Sequence, residues 1–276
     1  MAITTLLAFH STDEPLDNVK PVIALAGEMG AHLNLVVFGV LVPIATATYP
    51  GIPDFLTADE FKNTAEKAEQ RAKTVEALVQ EGNFSASIMV ECVDRGMIGR
   101  TMSRHALCAD VTVFPHGSVP SHDLATEAFN GVLFDAGRPV LVLGAGDRPL
   151  PKLDRALIAW NGEPEAAAAI HHSLLLLDGT RDVHIVQAHR DDHASDKHTV
   201  DEMQRFLARH GKKITVDHLQ AQPGDVADAL LTQARNTKAD IIVMGAYGHS
   251  RLREWLLGGT TRDLLSKTSL PVFMAH

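Results

Sequence analysis

Two apolar hexapeptides of this chain each occur twice, at nearly the same distance. Ala109-Asp110-Val111-Thr112-Val113-Phe114 returns as Ala239-Asp240-Ile241-Ile242-Val243-Met244, and Arg138-Pro139-Val140-Leu141-Val142-Leu143 returns as Leu270-Pro271-Val272-Phe273-Met274-Ala275. A spacing of 130 to 132 residues in a chain of 276 reads as a tandem duplication. Each copy then has the size of one domain. Each also opens on an apolar strand, Thr4-Thr5-Leu6-Leu7-Ala8-Phe9 and Arg155-Ala156-Leu157-Ile158-Ala159-Trp160. The segment Ala145-Gly146-Asp147-Arg148-Pro149-Leu150-Pro151-Lys152 between them is rich in Pro, Gly and charge, as a linker is. Domains are therefore expected at 1–146 and 153–276.

Apolar runs alternate with helical patterns throughout. In the second copy, strands are expected at about 155–160, 182–188, 214–219 and 239–244, with a last strand to Ala275. Helices are expected through Leu177, over about 199–210 and over 226–236. In the first copy the strands fall near 4–9, 33–40, 86–92, 110–114 and 139–143. This alternation predicts an α/β fold of two tandem, doubly wound parallel sheets with right-handed crossovers. Ligands of such sheets sit beyond the carboxyl ends of the strands, where strand order reverses.

At that place in the second copy, the strand ending at Met244 runs into Gly245-Ala246-Tyr247-Gly248. Nine residues later comes Gly258-Gly259-Thr260-Thr261, and a helical run from Arg262 follows. Glycines let backbone amides approach an anion, and a helix start adds unpaired amides and a positive dipole end. The loop is not a Walker A loop, because no Gly-Lys-Ser/Thr follows the glycines. Rapid hydrolysis is not implied.

The Gly-x2-Gly-x9-Gly pattern, between a strand and a helix that leads to a Pro-Val strand, resembles the nucleotide-binding signature of the universal stress protein A family. The resemblance implies a Rossmann-like fold similar to the adenine nucleotide alpha hydrolases. It also implies pairing of the last strands of two domains, here an internal pseudo-dimer through Val140–Leu143 and Val272–Ala275. The implied ligand is ATP, ADP or AMP, with Mg²⁺ as its companion. Ala159 and Asn161 would line the adenosine and Ala188 the adenine side. Met244, Gly245, Gly248, His249, Gly258, Gly259, Thr260 and Thr261 would surround ribose and phosphates. Two positions depart from the family. Asn161 stands where Asp is common, removing a charge that strengthens hydrogen bonds, and Gly259 stands where Ser or Thr is usual.

The first copy departs further. Pro115-His116-Gly117-Ser118-Val119-Pro120 follows its fourth strand, and prolines donate no amide to a cradle. His10 falls at its first strand's end, where the family has Asp, so His10 and His116 are candidates for lining an altered pocket. His189-Arg190-Asp191-Asp192-His193 and His198 match no defined zinc spacing and read as a solvated loop. Arg251, Arg253 and Trp255 lie between the glycine clusters. No catalytic constellation or metal set is assigned.

The net charge of −9 is concentrated in the first copy, where residues 1–146 hold 9 Lys and Arg against 17 Asp and Glu. Such a balance argues against a nucleic-acid surface. No apolar stretch reaches membrane-spanning length. Cys92 and Cys108 have no metal-ligand spacing and read as reduced thiols. The expectation is a cytoplasmic, nucleotide-responsive stress protein without catalysis, with an unidentified protein partner and scope for a further homodimer. The alternatives are a slow ATPase, or a small-ligand or partner-binding scaffold that has lost ATP.

Overall fold

The computed structural model describes residues 3–41, 58–82, 84–120, 123–146, 150–189, 197–220, 225–246 and 259–276. Its strands are β1 (Thr5–Ser11), β2 (His32–Leu41), β3 (Ala86–Asp94), β4 (Val111–Phe114), β5 (Val140–Val142), β6 (Arg155–Ala159), β7 (Asp182–His189), β8 (Lys213–Gln220), β9 (Ile241–Gly245) and β10 (Val272–Ala275). Helices α1 (Lys20–Met29), α2 (Ala58–Gln80), α3 (Ile98–Ala106), α4 (Asp123–Asn130), α5 (Pro164–Ser173), α6 (Lys197–Arg209), α7 (Val226–Thr237) and α8 (Gly259–Lys267) alternate with them. No helix among the described residues is long and apolar enough to cross a membrane.

All ten strands form one sheet in the order β3-β2-β1-β4-β5-β10-β9-β6-β7-β8. Each half repeats the same doubly wound order, and neighbours within a half are parallel. The halves join where β5 and β10 pair antiparallel, Val142 opposite Val272, Leu141 opposite Phe273 and Val140 opposite Met274. This is the internal pseudo-dimer that the family resemblance implies. Because helices cover both faces, the central strands are apolar without alternation. One core holds Leu6, Ala8, Ile158 and Phe273 with residues of α1, α2, α5 and α6. The other holds Leu7, Phe9, Leu157 and Met274 with residues of α3, α4, α7 and α8.

The repeated Ala-Asp pair has a physical cause. The Asp110 carboxylate accepts the Thr4 and Thr5 amides at 2.8 and 2.9 Å, and the Thr4 hydroxyl at 3.0 Å. Asp240 accepts the Asp154 and Arg155 amides at 3.0 and 2.8 Å. In each half one aspartate, just before the fourth strand, ties down the start of the first.

One helix ends earlier than the sequence suggests. α5 stops at Ser173 rather than Leu177, followed by turns through Gly179. Ser173 donates its hydroxyl to the Ile170 carbonyl, and the Lys212 ammonium gathers the carbonyls of Leu177, Asp178 and Thr180. The four leucines 174–177 thus continue a helical pattern in sequence, while the carbonyl of the last of them and those of Asp178 and Thr180 turn to a lysine from the neighbouring crossover. The helix before β10 starts at Gly259, three residues ahead of the expected Arg262.

Burial pushes the Asp110 carboxyl up, but the Thr4 and Thr5 hydrogen bonds and the Arg138 charge outweigh it and hold it below the usual range. The ionised form therefore contributes stability that is present above pH ~4 and is lost as pH falls through the lowered value. Asp110→Asn is expected to cost about 1–2 kcal/mol at pH 7 and to flatten the acid limb below pH ~4. Urea unfolding of both proteins across pH 2.5–7 checks this; an unchanged acid limb would rule the anchor out.

Candidate functional site

In the second half, strand order reverses between β6 and β9, so their carboxyl ends open a crevice. Ala159 and Met244 are direct register partners there. Gly245 follows, paired with Ala275. A Cβ on Gly245 would stand 2.5 Å from the Ala166 nitrogen and 2.7 Å from the Glu165 carbonyl carbon. The first demand on this glycine is therefore the close crossing of α5 over β9, and not access for an anion.

Asn161 is exposed in the loop after β6, and its Oδ1 accepts the Glu163 amide at 3.1 Å. Gly162 takes a φ of +82° in the same turn, and α5 begins at Pro164. The acceptor that sequence assigns to a ligand is thus already engaged by its own backbone. Ala188 lies in β7 opposite Leu219. At the other side of the crevice, α8 begins with Gly259, Thr260 and Thr261. A Cβ on Gly259 would meet open space, and no acidic residue occupies the helix's first turn, so among the described residues its positive end is unopposed there. Thr260 is half-buried, but Thr261 is 3% exposed, so of the two predicted threonines Thr260 is the more accessible. Gly248, His249, Gly258, Arg251, Arg253, Trp255 and the loop from Arg190 to His193 lie outside the described residues.

Three groups that sequence reasoning missed stand at this end of the sheet. Trp160 Nε1, Gln187 Oε1 and Glu165 Oε2 are buried and have no hydrogen-bond partner among the described residues. Trp160 follows β6 directly and Gln187 lies next to the last β6–β7 pair, Ala159 with Val186. An unpaired buried polar group costs about 1–3 kcal/mol, so three of them on elements that flank the crevice fit a ligand carrying both donors and acceptors. The signal in the sequence was Gln187, a polar residue near the end of an apolar strand. Among the described residues, no group of three or more His, Cys, Asp or Glu is arranged to hold a metal.

The first half corrects the assignment of His10. Strand registers make Leu6 opposite Val111 equivalent to Ala156 opposite Ile241, so Ser11, not His10, corresponds to Asn161. Ser11 Oγ accepts the Asp13 amide at 3.3 Å, the same turn as at Asn161. His10 corresponds to Trp160 and is 1% exposed. Arg71 of α2 lies 3.3 Å from His10 Nε2 and donates to the Thr12 and Glu14 carbonyls at 2.8 and 3.0 Å. Because arginine only donates, Nε2 accepts and the proton sits on Nδ1, 3.6 Å from the Glu14 carboxylate. A cavity of about 560 Å³ beside this loop is lined by Thr12, Lys67, Arg71 and their neighbours, without either histidine. His116 is spent elsewhere, its Nε2 3.1 Å from the Thr268 carbonyl of the other half. The expectation that His10 and His116 line an altered pocket is not met.

Residues 152–276 match the model of the universal stress protein family. The C-terminal half is a universal stress protein domain. A stretch of 69 residues is 36% identical to universal stress protein Slr1230 of Synechocystis, covering 25% of this chain and 23% of that protein. Over nearly the whole chain the fold is similar to two solved structures. A universal stress protein from Archaeoglobus fulgidus has a TM-score of 0.70 at 17% identity, covering 98% of this chain and 95% of that one. A putative universal stress protein from Pseudomonas aeruginosa has a TM-score of 0.59 at 17% identity, covering 99% and 93%. Beside this universal stress protein domain, the first half carries the same strand order with an arginine-filled loop.

Burial, reinforced by the Arg71 charge, lowers the His10 pKa to about 4. Its neutral form contributes stability that is complete above pH ~6.5 and is lost as pH falls from there to about 4, on the order of 2–3 kcal/mol. His10→Gln is expected to remove that slope in urea unfolding across pH 4–7. An equally steep slope in the variant would show that His10 does not titrate in this window.

Proposed function

We propose that the universal stress protein domain binds an adenine nucleotide, ATP, ADP or AMP with Mg²⁺ on its phosphates, in the crevice between β6 and β9. The base and ribose lie by Ala159, Asn161, Ala188 and Met244, and the phosphates face the loop from Gly245 through Gly248, His249 and Gly258 to Gly259, Thr260 and Thr261. The observation that carries this reading is the meeting of Ala159 and Met244 at the reversal of strand order, with an unopposed helix start following the same strand. The unpaired Trp160, Gln187 and Glu165 atoms support it. The protein acts as a nucleotide-responsive regulator of a stress response in the cytoplasm, built of domains 1–146 and 153–276, and any hydrolysis is slow. Nucleotide bound to the folded state stabilises it by mass action, and ordering of the glycine loop is the available switch.

The engaged Asn161 Oδ1 favours a second reading, a scaffold that has lost nucleotide. The two are separated by denaturing purified protein, identifying released molecules by mass spectrometry, and measuring the melting temperature with Mg-ATP. Binding predicts about one adenine nucleotide per chain and an upward thermal shift, both absent in Gly248→Val. It also predicts about tenfold tighter ATP binding by Asn161→Asp, which restores a charged acceptor. No released nucleotide and no thermal shift would establish the scaffold.

A further inference from the structure

β3 is an edge of the ten-stranded sheet, nine residues long, and among the described residues it pairs only with β2. Long open edges present unpaired amides and carbonyls, and proteins blunt them with charge, proline or bulges. The opposite edge, β8, carries Lys213 and Asp217 within it. In β3 the run Ala86-Ser87-Ile88-Met89-Val90 has no charge and no proline, and Val90 is 38% exposed.

Beside this edge lies a groove of about 490 Å³ between β3 and α2. Its floor is Ala86, Ile88 and Val90, alternate residues that share one face of the strand. Ala72 and Val79 of α2 form the wall. Among the described residues, none of β2 lines the groove, so it lies toward the side of the strand on which another strand would add. A strand laid against β3 would place every second side chain under α2 while its backbone completes the ladder. That is the geometry of strand addition, in which main-chain bonds give affinity and pockets for alternate side chains give specificity.

Charge selects the occupant. Among the described residues Glu69 and Glu76 line the groove against one cation, Lys73, Asp94 closes the strand, and the half that holds them carries 9 Lys and Arg against 17 Asp and Glu. A second copy would bring two acidic rims together, whereas a cationic chain meets a complementary field. We propose that the groove between α2 and β3 is a docking site for an extended segment of a partner protein that alternates apolar and basic side chains and adds to the sheet as an eleventh strand.

The test uses the full chain and a fluorescent heptapeptide of alternating lysine and valine, read by anisotropy. Two control peptides accompany it, one with glutamate for lysine and one N-methylated at alternate residues, which keeps side chains and charge but cannot form the ladder. The lysine peptide is expected to bind, more weakly at high salt, and both controls to bind at least about tenfold more weakly. Ala72→Arg and Val90→Arg, which fill the groove from wall and floor, are each expected to lower affinity by a similar factor while keeping the wild-type melting temperature. Equal binding of the N-methylated peptide, insensitivity to both substitutions, or no binding of the lysine peptide would overturn the proposal. So would a concentration-dependent dimer abolished by Val90→Arg, which would assign the edge to a second copy.

Discussion

The antiparallel ladder between β5 and β10 is the contact on which the rest of this molecule depends. It is short, three residue pairs, yet it converts two five-stranded sheets into one and closes an edge that each half would otherwise expose. Other contacts reinforce the seam. The Ala145 amide donates to the Ser269 carbonyl, His116 reaches Thr268, and the His276 ring stands edge-on to Phe134. His276 Nδ1 also donates to the Ala246 carbonyl, directly after β9. The end of the chain thus touches both the first half and the strand that opens the candidate crevice, so a ligand-dependent shift of that strand has a path across the seam.

Within this frame the two crevices have diverged by different physical means. In the first half Arg71 reaches from α2 into the loop after β1 and takes two backbone carbonyls and a histidine nitrogen. The polar groups there satisfy one another, leaving little for a ligand to gain. In the second half the corresponding place holds Trp160, and its buried Nε1, like Gln187 Oε1 and Glu165 Oε2, lacks a described partner. A self-satisfied network rigidifies its loop, whereas an unsatisfied one keeps a reason to bind. The same topology therefore holds one settled end and one end whose buried polar atoms are unpartnered among the described residues.

The duplication, the strand order and the crevice were legible because buried parallel strands write themselves as uninterrupted apolar runs. Ala159 and Met244 meet in register at the reversal of strand order for the same reason. Other details depended on partners remote in sequence. The turns that follow α5 are held by Lys212, and the fate of His10 is set by Arg71, some sixty residues away. Gly245 looked like a ligand-facing glycine, since packing and anion binding both ask for a missing Cβ. Two burials left signals that were available. Leu6, Ala8 and His10 alternate onto one face of β1, which places His10 in the core rather than in a loop. Thr261, Leu264, Leu265 and Thr268 follow helical spacing and are all buried, which turns Thr261 inward.

At the centre of the seam the two copies do not meet as equals. Leu141 lies opposite Phe273, and the registers of the flanking strands make these two residues the same position of the ancestral repeat. Both are fully buried in the same core. A pairing of either half with its own kind would set leucine against leucine or phenylalanine against phenylalanine, leaving a void or a clash in an interior packed without spare volume. One position of the repeat thus has a large and a small member, and the halves meet as complementary parts.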